Sequence, residues 1–160
     1  MEGRLMGTIG EPSHSMAAHA IRQMSPWDAA SVAAILQESP EASHWSVNAI
    51  VESAGNGVGW VAVLDGQISG FLIGRAVADE FEILNMAVRP EHRRRGIASL
   101  LIETALEWSR SGGASSAHLE VRASNTAAIA IYVRHGFVAR GRRADYYKSP
   151  VEDAILFTRS

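Results

Sequence analysis

Apolar residues fall at two spacings along this chain, and the changes of rhythm mark its elements. His19 to Met24 reads as a short strand. Ser25-Pro26 then opens a helix, with Ser25 as N-cap and Pro26 at the first helical position. Ala29, Val32, Ala33 and Leu36 keep its helical spacing. Glu38 to His44 is a polar loop, Trp45 to Ser53 a second short helix, and Ala54-Gly55-Asn56-Gly57 a turn. Val58 to Leu64 and Ile68 to Val77 read as two strands joined by Asp65-Gly66, a strong hairpin signal. Phe81 to Val88 is a further strand. Ile97 to Arg110 is an amphipathic helix with Ile97, Leu100, Leu101, Ala105 and Trp108 on one face, stopped by Gly112-Gly113. Ala117 to Arg122 is a strand and Thr126 to His135 a helix. Gly136 to Arg143 and Ala154 to Arg159 close the chain as strands around a loop. This mixture predicts an α/β single domain, a largely antiparallel sheet flanked by helices.

The most informative joint lies between the Phe81–Val88 strand and the helix after it. Arg93-Arg94-Arg95-Gly96-Ile97-Ala98 is a basic turn that carries a glycine and opens a helix. A helix start offers unpaired N–H donors and the positive end of a dipole. With glycine where a side chain would block approach, such a turn can hold a phosphate or pyrophosphate. It is not a nucleoside-triphosphate P-loop, since Gly-x-x-x-x-Gly-Lys-Ser/Thr is missing. Ala98 stands where a dinucleotide fingerprint needs its second glycine. Taken alone, the turn also admits a purely steric reading of its glycine.

The spacing from this turn to the next helix carries a resemblance. Met86-Ala87-Val88 precedes the turn, Arg93-x-x-Gly96-x-Ala98 forms it, Asn125 stands at the next helix start, and Tyr132-x-x-x-Gly136-Phe137 ends that helix. With these residues the chain resembles the GNAT N-acetyltransferases, which use acetyl-CoA, over roughly residues 20 to 159. The stretch Leu119-Glu120-Val121-Arg122-Ala123-Ser124-Asn125 is similar to the RimI group within them, bacterial enzymes that acetylate the N-terminal alanine of a small-subunit ribosomal protein. Arg143-Ala144-Asp145-Tyr146-Tyr147 with Glu152-Asp153-Ala154 is similar to the tail of that group, although Ala144 and Asp145 stand where an arginine and an asparagine are frequent there. The resemblance implies a GNAT-like sheet with one parallel, splayed strand pair, acetyl-CoA as cosubstrate and no metal.

Composition narrows the rest. One hundred and sixty residues suit one domain, and 47% hydrophobic with 20% charged residues can build an ordinary core. A formal net charge of −2 gives no global pull toward nucleic acid, so the three arginines are a local basic spot. The absence of cysteine excludes disulfides, thiolate metal sites and a cysteinyl acyl-enzyme. Six histidines are scattered without metal-ligand spacing. No run of eighteen apolar residues is present to span a membrane. Residues 1–18 lack the apolar segment of a signal peptide and read as a disordered leader, with Met6 and Met16 as alternative starts. The domain is then residues 19–160 of a cytoplasmic protein, a monomer or weak dimer with a protein N-terminus as partner and neither nucleic acid nor membrane.

Acetyl transfer to an amine needs a neutral amine, a polarised thioester carbonyl and a proton for the leaving thiolate. An α-amine, with a pKa near 7.7–8.0, is roughly one-tenth neutral at pH 7, whereas a lysine near 10.4 is neutral in less than about one molecule in a thousand. An N-terminal enzyme can work with a modest, even water-mediated base. On the Ala117–Arg122 strand, His118, Glu120 and Arg122 share one face. By alternation Glu120 is a solvated charge; the resemblance makes it the base, with Arg122 beside it to keep it ionised. Glu82 is the competing base or an acid that binds substrate. Tyr132 lies two helical turns beyond Asn125 on the same face and is the candidate acid for the thiolate; the simpler readings are a core tyrosine and an N-cap asparagine.

For the cofactor, Met86, Ala87 and Val88 would meet the pantetheine through main-chain groups, with an oxyanion donor near Ala87 or Val88. Backbone N–H groups from Arg94 to Ser99, through Arg95, Gly96, Ile97 and Ala98, would take the pyrophosphate. Arg93, Arg94 and Arg95 would neutralise phosphates, and Asn125 and Tyr132 would contact the pantetheine arm and sulfur. Acceptor specificity belongs to two loops, Glu38–Trp45 and Arg142–Glu152, with Trp45, Glu82, Asn85, Arg143, Tyr146 and Tyr147 as contact residues. Two alternatives remain: a GNAT enzyme for lysine or a small amine, and a non-catalytic acyl-CoA-binding module, for which neither Glu120 nor Tyr132 is needed.

Overall fold

A computed structural model describes residues 19–160; the leader expected at 1–18 lies outside the described residues. Seven strands form one sheet: β1 (Ala20–Gln23), β2 (Gly59–Leu64), β3 (Gln67–Val77), β4 (Glu80–Val88), β5 (Ser116–Arg122), β6 (Val138–Lys148) and β7 (Val151–Arg159). Their spatial order is β1-β2-β3-β4-β5-β7-β6, and β4 with β5 is the parallel pair in an otherwise antiparallel sheet. Helices α1 (Ala29–Gln37) and α2 (Val47–Gly55) lie on one face, α3 (Ile97–Ser111) and α4 (Thr126–Arg134) on the other. The α/β reading with a largely antiparallel sheet is what the chain forms.

Local chemistry sets most boundaries. Asp65 and Gly66 both take positive φ, 52° and 77°, as the tight hairpin between β2 and β3 demands. Ser25 accepts from the Trp27 N–H at 3.1 Å, and Asp28 reaches back to the Ser25 N–H at 2.8 Å. This capping box opens a short 3-10 turn, Pro26–Asp28, and the regular helix begins only at Ala29. Ser46 caps α2 through the Ala49 N–H. On α3, Ile97, Leu101 and Ala105 are buried as their spacing predicts, but Leu100 turns outward, and Ile102 and Leu106 complete the buried face.

The final segment departs from the sequence reading. Arg142–Glu152 is not a loop: β6 runs on to Lys148, and Ser149-Pro150 turns directly into β7. β6, whose first half was expected as the Gly136–Arg143 strand, is an edge strand exposed along almost its whole length, so no apolar alternation marks its continuation past Arg143. Between Arg143 and Tyr147 it bulges, with Asp145 at φ 53°. Asp153 holds the bulge, accepting from the Asp145 N–H at 2.9 Å and from Arg142 Nε at 2.7 Å.

The sheet divides the core in two. Trp60, Leu72, Phe81, Ile83, Leu119 and Val121 pack under α3 and α4, while Val61, Phe71, Ile73 and Ala87 pack under α1 and α2. β4 changes parity within this scheme. Ile73 pairs with Asn85 and Gly74 with Ile83, so Leu84 is an extra residue. Before it, odd-numbered residues face α3; after it, Met86 and Val88 do, and Ala87 faces α1. A bulge of this kind bends its strand and sharpens the twist. β4 pairs with β5 only from Glu80–Ser116 to Ile83–Leu119, and the two strands separate where the bulge begins. Gly74 sits opposite that point. A Cβ there would stand 2.5 Å from the Phe81 ring, whose edge also meets Trp60 and Trp108 at centroid distances of 6.4 and 6.1 Å.

Gly74→Ala should therefore push Phe81 out of the aromatic cluster at the base of the split. Overpacking of this type costs about 1–3 kcal/mol, a fall in melting temperature of roughly 3–10 °C. A calorimetric Tm within a degree of wild type would show that the ring has room to move.

Candidate active site

Beyond Ile83 and Leu119 the two strands leave an open edge on each side. The Arg89 N–H donates to Ser69 O at 2.8 Å, so strand alternation turns Ala87 and Asn85 toward β3 and points the main-chain groups of Val88 and Met86 into the gap. The Val88 carbonyl is taken there by Arg93 Nε at 3.0 Å.

Three adjoining spaces occupy this split. On the α3/α4 face a groove of about 770 Å³ is lined by Met86, Val88, Arg94, Gly96, Ala98 and Ser99 on one side, and by Asn125, Ala128, Ile131 and Arg134 on the other. It narrows to a neck of about 40 Å³ between Asn85–Met86 and Leu119–Arg122, bordered by Tyr132 and Tyr147. On the opposite face a cleft of about 510 Å³ opens between Arg75, Glu80, Glu82, His118, Glu120 and Arg143. Met86, Asn125 and Ala128 border both groove and neck; Leu119 and Glu120 border both neck and cleft. The three spaces thus adjoin one another across the sheet, and Glu120 stands where neck and cleft meet.

The groove suits a phosphate-bearing thioester cosubstrate. α3 starts at Gly96 with φ 80° and has no side chain capping it, so its first-turn N–H groups remain free of side-chain acceptors. A Cβ on Gly96 would meet no protein atom within 4 Å. Its glycine is thus required by the left-handed backbone and by what the groove admits, not by packing within the protein. Arg94 also takes positive φ, 64°, and lines the groove. Arg93 lines it too, but its guanidinium is engaged by Val88 O, Ser39 Oγ and Glu41. It ties the turn to the Glu38–Trp45 loop. Arg95 stands off the groove, and Arg134 takes the cationic place expected of it. The signal for Arg134 was present in sequence: Ala127, Ile131 and Arg134 succeed one another at steps of four and three along one helix stripe.

Asn125 is the N-cap of α4, accepting from the Ala128 N–H at 3.2 Å, while also bordering groove and neck. Tyr132 is buried, 6% exposed, with its ring edge-on to Phe137 at 5.7 Å. Burial pushes its hydroxyl well above the ordinary tyrosine range, so it stays protonated. Tyr132 is thus a core tyrosine that also borders the neck.

Glu120 has a different partner from the one its strand suggested. Arg143 Nε donates to Glu120 Oε2 at 2.7 Å. Arg122 turns away, donating to Glu152 at 3.2 Å and to the Ser149 and Pro150 carbonyls, with its guanidinium over the Tyr147 ring at 4.3 Å. The β6 bulge brings Arg143 and Tyr146 over Glu120. The Tyr146 hydroxyl is raised above its usual range, first by the acceptor oxygens of the nearby Glu120 carboxylate and then by that group's charge. Tyr147 is half-buried and pushed up to about 12, by burial first. Glu82 borders the cleft but not the neck, and Arg75 pairs with it. Asn85 is buried and donates to Ser43 O at 2.9 Å, holding the Glu38–Trp45 loop against β4. Trp45 packs on the α1/α2 core and borders none of the three spaces. Among the described residues, no three His, Asp or Glu side chains converge as a metal site.

A strand bulged away from a parallel neighbour, a glycine-led helix start and spaces that adjoin across the sheet define an acyl-CoA-dependent transferase. Residues 20–137 match the acetyltransferase (GNAT) family, and the chain belongs to that family. It is 32% identical to the [ribosomal protein bS18]-alanine N-acetyltransferase of Escherichia coli K12 over 124 residues, 76% of this chain and 84% of that protein. The N-alpha-acetyltransferase RimI of Mycobacterium tuberculosis is 36% identical over 87 residues, 54% of this chain and 53% of that protein. Among solved structures, Ard1 from Thermoplasma volcanium superposes with a TM-score of 0.82 at 30% identity, covering 89% of this chain and 97% of that one. The Escherichia coli ribosomal-protein-S18-alanine N-acetyltransferase does so with a TM-score of 0.76 at 30% identity, covering 88% and 92%. The protein is an acetyltransferase that draws on acetyl-CoA.

Gly96→Val meets no protein atom but strains the left-handed turn, so it should cost about 1–2 kcal/mol of stability and weaken CoA at least roughly tenfold by distorting the turn and filling the phosphate approach. Calorimetric titration of a folded variant with unchanged CoA affinity would place the pyrophosphate elsewhere.

Proposed function

We propose that this protein transfers the acetyl group of acetyl-CoA to the N-terminal α-amine of a protein, the N-terminal alanine of a small-subunit ribosomal protein, by direct transfer in a ternary complex. The observation that carries the reading is the position of Glu120, which borders both the neck that Tyr132 closes and the cleft on the opposite face. Donor and acceptor then approach from opposite faces of the sheet and meet between these two groups. The relatives named for the same reaction support the acceptor. The site is complete within one chain, which suits a monomer or weak dimer. Among the described residues no helix is long and apolar enough to cross a membrane, and we place the reaction in the cytoplasm with ribosomal proteins.

In this mechanism the α3 N-terminus, Arg94 and Arg134 hold the phosphates. The open-edge N–H groups of Met86 and Val88 align the pantetheine and polarise the thioester carbonyl. Glu120 accepts the amine proton, directly or through water, with Arg143 and Tyr146 fixing its carboxylate. Tyr132, kept protonated by burial, gives its proton to the departing sulfur. Tyr146 and Tyr147 flank the entering peptide backbone.

Glu120→Gln should lower kcat by about 10²–10⁴-fold at neutral pH, with partial recovery as rising pH supplies neutral amine. Tyr132→Phe should lose a similar factor without that recovery, and neither should much change CoA affinity. A fully active Glu120→Gln beside an inactive Glu82→Gln would move the base to β4.

Acceptor choice is testable apart from the base. Alanine-started peptides should be turned over far faster than lysine peptides with blocked N-termini or polyamines. Equal rates on blocked lysine peptides would remove the α-amine assignment.

A further inference from the structure

The cleft holds a histidine that acetyl transfer through Glu120 and Tyr132 leaves unused. His118 lies two residues before Glu120 on the same strand face, roughly 6.6 Å along β5. Its Nε2 is 2.9 Å from Ser116 Oγ and its Nδ1 is 3.2 Å from Thr158 Oγ1. Glu80 Oε1 stands 4.0 Å from Nε2, and the Glu80 side chain is 63% exposed. The other charged groups of the cleft are Glu82 and Arg75, paired with each other, and Glu120 and Arg143, likewise paired. His118 therefore faces Glu80 and Glu82 from β4, Arg75 from β3, Arg143 from β6 and Glu120 from its own strand. Among the described residues, His118 and Glu80 are the titratable side chains of the cleft that no arginine pairs with, and they stand beside each other.

The reaction requires an exit for a proton. An α-ammonium and an acetyl thioester become an amide, a thiol and one free proton: the N–C bond forms and the C–S bond breaks. Two protons leave nitrogen; sulfur keeps the equivalent of one, and the other must reach water. Glu120 takes it, but Arg143 and Tyr146 cover that carboxylate and an acceptor peptide would fill the cleft in front of it.

We propose that His118, seated between the Ser116 and Thr158 hydroxyls, carries this proton from Glu120 to Glu80 and solvent. A hydroxyl both donates and accepts, so an imidazole held between two of them can gain a proton on one ring nitrogen and release it from the other. This inference rests on the α-amine reading of the acceptor, since it assigns the route of a proton that an α-ammonium supplies.

The test is steady-state turnover of an alanine-started peptide from pH 6 to 8.5, by wild type and by His118→Gln, with and without added imidazole. The variant should lose roughly tenfold in kcat, less than a group acting on the reacting atoms would, with CoA affinity and peptide KM little changed. Imidazole should restore the variant in proportion to its free-base concentration and leave wild type unaffected. Glu80→Gln, a change at an exposed position, should show a smaller loss that imidazole also restores. Wild-type kcat across the profile in His118→Gln, a loss that imidazole does not restore, or an unaffected Glu80→Gln would each overturn the relay. Wild type serves as the control: if it ignores the peptide, the acceptor assignment fails, whereas an active wild type beside an indifferent variant removes the relay alone.

Discussion

The parallel ladder between β4 and β5 ends at Ile83 and Leu119, and every functional surface depends on that ending. A sheet normally satisfies both edges of its inner strands. Here the Leu84 bulge turns β4 away, and β5 gives its other edge to β7, so a wedge opens in the middle of the sheet. The Met86 and Val88 N–H groups on that edge have no strand beside them, and the Val88 carbonyl is taken by Arg93 instead of a neighbouring strand. The same wedge lies between the groove on one face and the cleft on the other, which under the proposed function are the separate entrances of donor and acceptor. The aromatic cluster of Trp60, Phe81 and Trp108, with Gly74 beneath Phe81, fixes the wedge's closed end.

A second constraint ties the rim together. Arg93 reaches from the cofactor turn to Val88 O, Ser39 and Glu41, and Asn85 reaches from β4 to Ser43 O. The Glu38–Trp45 loop, the split strand and the turn before α3 are thus held as one unit, with polar groups satisfied where the backbone leaves regular pairing. On the other side Arg122 and Glu152 bind the β5–α4 turn to the β6–β7 hairpin, and the Ser124 N–H donates to Glu152. Arginines that look like ligand residues in the sequence serve here as clamps, because a guanidinium has enough donors to bridge three acceptors.

Much of this was legible from residue order alone. The Asp65-Gly66 turn, the periodicity of α1 and α3, and the glycine-led start of α3 each have a local physical cause. The site was legible as far as its motifs reached: Gly96, Asn125, Tyr132 and Glu120 all border these spaces. What was not legible depends on long-range placement. Arg143, not Arg122, meets Glu120, because a bulge in an edge strand aims it there, and β6 carries no hydrophobic alternation to show that the Gly136–Arg143 strand runs on to Lys148. Trp45 reads as a ligand-facing aromatic beside a loop, yet it packs on the α1/α2 core. Arg134 was visible only as one stripe position of a helix until α4 was set against the α3 N-terminus.

The central claim is that donor and acceptor enter from opposite faces and react in the neck below Glu120. The most direct measurement is a crystal structure with a bisubstrate compound, an alanine-started peptide joined through its N-terminus to CoA. The account predicts the pyrophosphate at the α3 start, the junction between Met86 and Glu120, and the peptide leaving past Tyr146 on the α1/α2 face. A peptide running out along the α3/α4 face, or a junction nitrogen beside Glu82 and away from Glu120, would contradict it.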